Sequence, residues 1–206
     1  QRQMCIRDRW DTNDDGTYYF DLITGAMAKS DIVVDNLPCS FDTNTGIGCN
    51  LMWHSMDGKD YWYEAGKRQG YDPNNAAYRG KEIYDASSDA WYWLDAVDGG
   101  AKAVNKDVYQ ESDGGKWVRY DENGHMIKGE NCQNGNWYYF EPVTGAMIHG
   151  PWTLPDGRKV YYDLTTGIMQ YGNVSINGSL YYFDPVYGTM KSGALTNFWV
   201  LSLIHI

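Results

Sequence analysis

Apolar and aromatic residues in this chain come in short bursts, each closed by a polar turn and followed by a small residue and a methionine. Tyr18-Tyr19-Phe20-Asp21 leads to Thr24-Gly25-Ala26-Met27, and Tyr138-Tyr139-Phe140-Glu141 leads to Thr144-Gly145-Ala146-Met147. Val160-Tyr161-Tyr162-Asp163 and Tyr181-Tyr182-Phe183-Asp184 head two further copies that end at Met169 and Met190. Bursts of this length, rich in aromatic residues and bounded by turn residues, predict strands rather than helices. In the clearest copy, Asn136 to Phe140 reads as a strand and Glu141-Pro142-Val143-Thr144 as the turn. Gly145 then closes that turn at positive φ, and Ala146 to Ile148 returns. Side chains alternate along a strand, so Trp137 and Tyr139 share one face while Tyr138 and Phe140 share the other.

The bursts recur at a fixed interval. Gly124, Gly145, Gly167 and Gly188 are spaced by 21, 22 and 21 residues, and Gly25 and Gly46 by 21. Such a period marks a repeat architecture. A lone hairpin is marginal in water, whereas stacked hairpins bury one another's faces. The expected fold is therefore all-β, a solenoid of stacked β-hairpin repeats of about 20 residues with a less regular middle segment. Residues 10–50 hold one good and one degenerate copy. Residues 51–110 fit the period poorly, and residues 111–200 hold four consecutive units. Within the middle segment, the β-branched and aromatic neighbours of Ala101 to Gln110 favour strand or loop over a helical turn. Tyr138, Phe140, Tyr181 and Phe183 are the expected core residues.

The two ends stand apart from this pattern. Met4-Cys5-Ile6-Arg7-Asp8 can be encoded by ATGTGTATAAGAGAC, whose reverse complement in another frame encodes Ser-Leu-Ile-His-Ile, the residues Ser202 to Ile206. Residues 1–9 and 201–206 are thus expected to be the scars of a sequencing adapter and are set aside. The natural piece is then about residues 10–200, a fragment of a longer protein.

Composition narrows the chemistry. Without Arg2, Arg7, Arg9 and Asp8, the 17 basic and 27 acidic residues become 14 and 26, a net charge of −12. Nucleic acid is a poor partner for such a chain, because phosphate binding needs a basic face. Tyr (18) and Trp (9) far outnumber Phe (5), which suits half-exposed rings with a polar tip, as at binding surfaces. Cys39 and Cys49 flank a hairpin-like stretch from Phe41 to Gly46. They either form a disulfide, as an extracellular setting permits, or remain reduced and half-buried. Cys132 has no partner in either case.

The quoted motifs resemble the cell-wall-binding repeats of bacterial surface proteins, the family that includes choline-binding modules. The glucan-binding repeats of extracellular glucosyltransferases and the receptor-binding repeats of large clostridial toxins are similar. Asn134-Gly135-Asn136-Trp137-Tyr138-Tyr139-Phe140, Gly145-Ala146-Met147 and Gly150-Pro151-Trp152 carry the likeness. The resemblance implies a β-solenoid with ligands held between consecutive hairpins in aromatic cages. It implies a site built from Trp137, Tyr139 and Met147 with Trp152 and Tyr161, and further positions at Trp117 and Tyr182. A quaternary ammonium would be held by ring faces, each worth about 0.5–2 kcal/mol. A sugar would stack its C–H face on the same rings. Thr17, Lys159 and Leu180 occupy the strand-tryptophan position of three units, and Glu130, Asn173 and Ala194 stand where a tryptophan would follow the second glycine. At most one complete choline cage remains, which puts α-glucan or another wall carbohydrate on an equal footing.

The implied function is a non-catalytic module that anchors a secreted bacterial protein to choline-bearing teichoic acid or α-glucan at the cell wall or surface. The alternative is an adhesin or toxin-like array that binds host glycans. No cofactor, metal or membrane insertion is expected. Asp11-Thr12-Asn13-Asp14-Asp15-Gly16 matches half of an EF-hand loop but has Leu22 where the motif needs Glu, and it reads as the polar turn of the first hairpin. Asp21, Glu141, Asp163 and Asp184 recur at one turn position, which a turn explains better than paired catalytic carboxylates do.

Overall fold

The computed structural model describes residues 9–111 and 114–195. The suspected adapter ends, Arg9 excepted, lie outside them. Regular structure among the described residues is β-strand apart from the 3-10 turn Ala96–Asp98 and a 3-10 residue at Gly114, so the all-β expectation holds. No helix among them is long and apolar enough to cross a membrane. The chain forms two compact units. The first is the chain through Lys106 together with Tyr120–Met126; the second is Asp107–Arg119 with the chain from Ile127 onward.

The first unit opens with the hairpin β1 (Trp10–Asn13) and β2 (Gly16–Tyr19). Asn13 Oδ1 accepts the amides of Asp15 and Gly16 at 2.9 and 3.2 Å, so the EF-hand-like stretch is a hairpin turn. Eight strands follow: β3 (Ile32–Val34), β4 (Leu37–Cys39), β5 (Met52–Met56), β6 (Lys59–Glu64), β7 (Lys67–Arg68), β8 (Gly80–Asp85), β9 (Ala90–Asp95) and β10 (Ala101–Lys102). They form one antiparallel sheet in the order β3-β4-β7-β6-β10-β9-β8, with β5 paired to β6. The segment that fits the repeat least well in sequence is therefore mostly sheet. Between Ala101 and Gln110 the chain is strand at Ala101–Lys102 and Lys106–Gln110 with a short loop between, in line with the strand or loop its composition favours.

The second unit is a run of hairpins. β11 (Lys106–Gln110) pairs with β12 (Lys116–Tyr120), β13 (Gly129–Gln133) with β14 (Asn136–Phe140), and β15 (Gly150–Thr153) with β16 (Lys159–Tyr162). β17 (Gly172–Ile176) pairs with β18 (Ser179–Phe183), to which β19 (Met190–Leu195) adds a third strand. The register repeats: Gly129, Gly150 and Gly172 lie opposite Phe140, Tyr162 and Phe183. Hairpins are stitched to their neighbours by backbone bonds. Met147 N donates to Trp117 O at 2.7 Å, and Met169 N donates to Trp137 O at 2.8 Å, one repeat further on. The methionine side chains reach the other way. A Cβ on Gly167 would lie 2.5 Å from Met147 Sδ, and one on Gly188 equally close to Met169 Sδ. Glycine thus recurs at this interval for two reasons: its positive φ closes the turn, and its missing side chain admits the previous repeat's methionine.

The turns share one clip. Asp163 Oδ1 accepts the amides of Thr165 and Thr166 at 3.0 and 2.7 Å and the Thr166 hydroxyl at 2.9 Å. Asp21 and Asp42 make the same three bonds, and Glu141 and Asp184 accept the two equivalent amides. These bonds favour the ionised form and hold all five carboxyls below their usual range. A folded pKa below the unfolded one gives stability that is complete above the unfolded value, about 4, and is lost as pH falls through the lowered values. The melting temperature should therefore fall as pH drops below about 4, and Asp163→Asn should flatten part of that slope. An unchanged melting temperature down to pH ~2 would contradict this role.

Two expectations about single residues change. Cys39 and Cys49 are free thiols, not a disulfide. Cys49 N donates to Ser40 O at 2.9 Å and Phe41 bridges to Gly48, so Cys49 lies opposite Ser40. Its Sγ contacts Ser40 Oγ at 3.3 Å, while Cys39, one residue away, presents its side chain to the other face. Burial pushes the Cys39 thiol up to about 11. Of the expected core residues, Phe140 and Phe183 are buried, but Tyr138 and Tyr181 are only half-buried. Tyr138 lies under the Arg119 guanidinium, 4.1 Å from its ring centre.

Candidate functional site

The gap between hairpins β15–β16 and β17–β18 holds a cavity of about 580 Å³. Trp152 and Tyr161 reach it from the earlier hairpin, Tyr181, Phe183 and Met190 from the later one, and Lys159 also lines it. Register explains the set. Tyr161 stands where Tyr139 stands in its own hairpin, and Tyr181 and Phe183 stand where Tyr138 and Phe140 do. A gap in a stack is therefore walled by opposite strand faces of successive hairpins. Tyr161 and Phe183 are buried with ring centres 6.2 Å apart, and Trp152 and Tyr181 are half-buried. Trp152 is seated from behind by Tyr139, 5.9 Å away, within a cluster that includes Leu154, Val160 and Tyr162.

A second cavity of about 280 Å³ in the same unit is lined by Trp137, Met169, Tyr171 and Tyr187. Its polar edge is the Arg158–Glu130 ion pair at 3.0 Å. Arg158 also holds Asp156 at 2.6 Å and donates to Tyr187 O at 3.3 Å, so its donors are committed.

The seven residues expected at ligand sites are thus divided. Trp152 and Tyr161 line the larger cavity and Trp137 the smaller, while the other four line neither. Tyr139 is buried in the hydrophobic cluster. Met147 packs on Gly167 as a spacer between hairpins. Trp117 is exposed beside Tyr109, 5.4 Å away, and Tyr182 sits half-buried opposite Asn173 and Lys191. Tyr181 and Met190 were not among the expected site residues. Met190 could have been found as the counterpart of Met147, whereas Tyr181 lies on the face assigned to the core.

Several aromatic faces elsewhere are already covered by the chain's own cations. Lys67 Nζ lies 4.4 Å from the Trp10 ring centre, Lys102 Nζ lies 5.2 and 5.8 Å from Trp53 and Tyr92, and Arg119 covers Tyr138. Among the described residues, no such cation sits over Trp152 or Tyr181. No grouping of His, Cys, Asp and Glu suited to a metal ion occurs among the described residues.

Residues 110–152 match the family model of the choline-binding repeat, a stretch that contains Trp117, Trp137, Tyr139, Met147 and Trp152. Among solved structures, the chain is similar to choline-binding protein F from Streptococcus pneumoniae, at 20% identity over 90% of this chain and 58% of that one, with a TM-score of 0.62. The same protein in the presence of a peptidoglycan analogue, a tetrasaccharide-pentapeptide, matches at 22% identity over 85% and 55%, with a TM-score of 0.58. CbpF in complex with ipratropium matches at 20% identity over 90% and 60%, with a TM-score of 0.59. The chain spans less than two thirds of the length of these structures, and at such identities the likeness is one of fold. No curated protein sequence matches it. The chain carries a choline-binding repeat at residues 110–152 and, over 90% of its length, shares its fold with choline-binding protein F.

Proposed function

We propose that this chain is a non-catalytic wall-binding module whose larger cavity receives the quaternary ammonium of a choline-bearing wall polymer. The observation that carries this reading is the cavity between consecutive hairpins, bounded by Trp152, Tyr161, Tyr181, Phe183 and Met190, with no cation of the described residues over the faces of Trp152 and Tyr181. A quaternary ammonium offers no hydrogen-bond donor, so only ring faces and soft apolar atoms can hold it. Lys159 lines the same cavity in place of a strand tryptophan. Its ammonium would oppose free choline weakly and favour a choline that carries its phosphodiester, the form present on a polymer. The likeness to choline-binding protein F supports this reading, as does that protein's study with a peptidoglycan analogue. In this role the chain anchors a secreted bacterial protein at the cell wall, and any catalysis belongs to a parent protein.

α-Glucan in the same cavity is the second reading. Lys159, Asn173 and Leu180 replace tryptophans of a full cage, which leaves fewer ring faces to hold an ammonium. Passage over an immobilised-choline matrix separates the two. Retention with release by free choline is the expected outcome. Flow-through combined with binding to isomaltotriose would replace choline by glucan, and binding to host glycans alone would replace the wall by a host surface. Hydrolysis of a wall polymer by this chain would overturn the non-catalytic assignment.

A further inference from the structure

The first unit contains a cavity of about 450 Å³ of different character. Trp10, Tyr71 and Tyr78 supply rings, and Lys67, Asp72 and Asn74 supply polar groups. Few of these polar groups are used internally. Asp72 Oδ1 accepts the Asn74 amide at 2.9 Å, while its second oxygen and the Asn74 side chain have no recorded partner among the described residues. Lys67 Nζ rests on the Trp10 ring at 4.4 Å and has no carboxylate partner among the described residues, unlike Lys81, Lys102 and Lys106, which pair with Glu64, Asp60 and Asp95.

The cavity is built, not incidental. Gly70 is in the left-handed region and lies so close to β9 that a Cβ would meet Leu94 Cβ at 2.2 Å. A Cβ on Gly100 would meet Gln69 O at 2.5 Å. Backbone bonds from Asn75 N to Asp72 O and from Tyr78 N to Asn75 O then fold the loop that carries both tyrosines, at 3.3 and 3.0 Å. A loop pinned at this many points holds its rings and polar groups in place before any ligand arrives.

We propose that this cavity binds a neutral pyranose unit of a polysaccharide. The Tyr71 and Tyr78 rings stack against the sugar's C–H face, and neighbouring hydroxyls bridge an ammonium donor at Lys67 and a carboxylate acceptor at Asp72. A trimethylammonium is disfavoured here because Lys67 already covers the Trp10 face. An anionic sugar would meet the Asp72 carboxylate as well as the Lys67 ammonium, while Asp35 is already held by Arg9 at 3.1 Å. This site is independent of the one assigned to choline. The chain would grip a wall polymer at two chemically distinct points and gain avidity from their linkage.

Titration with isomaltotriose and, separately, with chitotriose tests the proposal and distinguishes an α-glucan source from an amino-sugar glycan. We expect at least one of them to bind in the millimolar range, without competition from choline and unchanged by Tyr181→Ala. Tyr71→Ala should weaken that binding at least roughly tenfold, the loss of about one good contact. Lys67→Gln, which keeps most of the stem and leaves the loop untouched, should weaken it several-fold with only a small fall in melting temperature from the lost Lys67–Trp10 contact. Choline retention should persist in both variants, which separates failure here from failure of the choline site. The proposal is overturned if neither sugar binds, if choline competes, or if Tyr71→Ala and Lys67→Gln leave the affinity unchanged.

Discussion

Trp152→Ala is expected to weaken binding of a choline-type ligand about 30-fold, a loss of about 2 kcal/mol. The indole is the largest ring lining the 580 Å³ cavity and is held in place by Tyr139 behind it. Its removal takes away one cation–π partner and also floods the site, which weakens the remaining rings. Trp152 contributes to the core cluster too, so the same substitution should lower the melting temperature. Tyr181→Ala separates the two effects, because Tyr181 is half-buried and, unlike Trp152, is not part of the Tyr139–Tyr162 cluster. It should cost binding roughly tenfold with little change in stability. Trp137→Ala removes a ring from the smaller cavity and should leave choline affinity unaltered. Calorimetric titration of the three variants reads all of this directly. If Trp137→Ala abolishes binding while Tyr181→Ala does not, the ligand occupies the smaller cavity.

Gly167→Ala is expected to destabilise the second unit by about 2–3 kcal/mol. Two costs combine. The residue has φ of 69°, a conformation that charges an alanine about 1–2 kcal/mol. The added methyl also meets Met147 Sδ at 2.5 Å and Cγ at 3.0 Å. Met147 cannot retreat as a whole, because its amide is bonded to Trp117 O at 2.7 Å. Gly25 provides an internal control. Its φ is 68°, but a Cβ there meets nothing within 4 Å, so Gly25→Ala should carry the backbone cost alone. Adding Met147→Ala to Gly167→Ala should recover the steric part, about 1 kcal/mol, in a double-mutant cycle. Equal losses at Gly25 and Gly167, with no coupling to Met147, would mean that the methionine does not brace the stack. The equivalent contact of Met169 with Gly188 joins the two hairpins that bound the larger cavity.

Hairpins and turns were readable from the sequence because their causes are local. Asp163 or Glu141 bonds amides two and three residues ahead, and a glycine closes the turn whatever surrounds it. The middle segment was not readable for the opposite reason. β10 comes after β6 and β9 in the chain yet lies between them, a pairing that no short-range pattern announces. The cysteines show the same limit at the scale of one residue. Ten residues of separation place Cys39 and Cys49 near each other, but register puts Ser40 opposite Cys49, and one step along a strand reverses the face.

From residue types and spacing alone came the all-β class, the repeat of about 20 residues and the turn carboxylates, while the family resemblance carried by those motifs pointed to Trp152 and Tyr161. Only the tertiary structure decided that Trp152 and Tyr161 line one cavity and Trp137 another, that Tyr139 is buried in a hydrophobic cluster and Met147 packs on Gly167, and that Tyr181 and Met190 line the larger cavity. Alternation along a strand specifies which side chains share a face. Which face meets core and which meets an open gap is set by the hairpin stacked beside it, and that neighbour contributes the opposite face of its own strand.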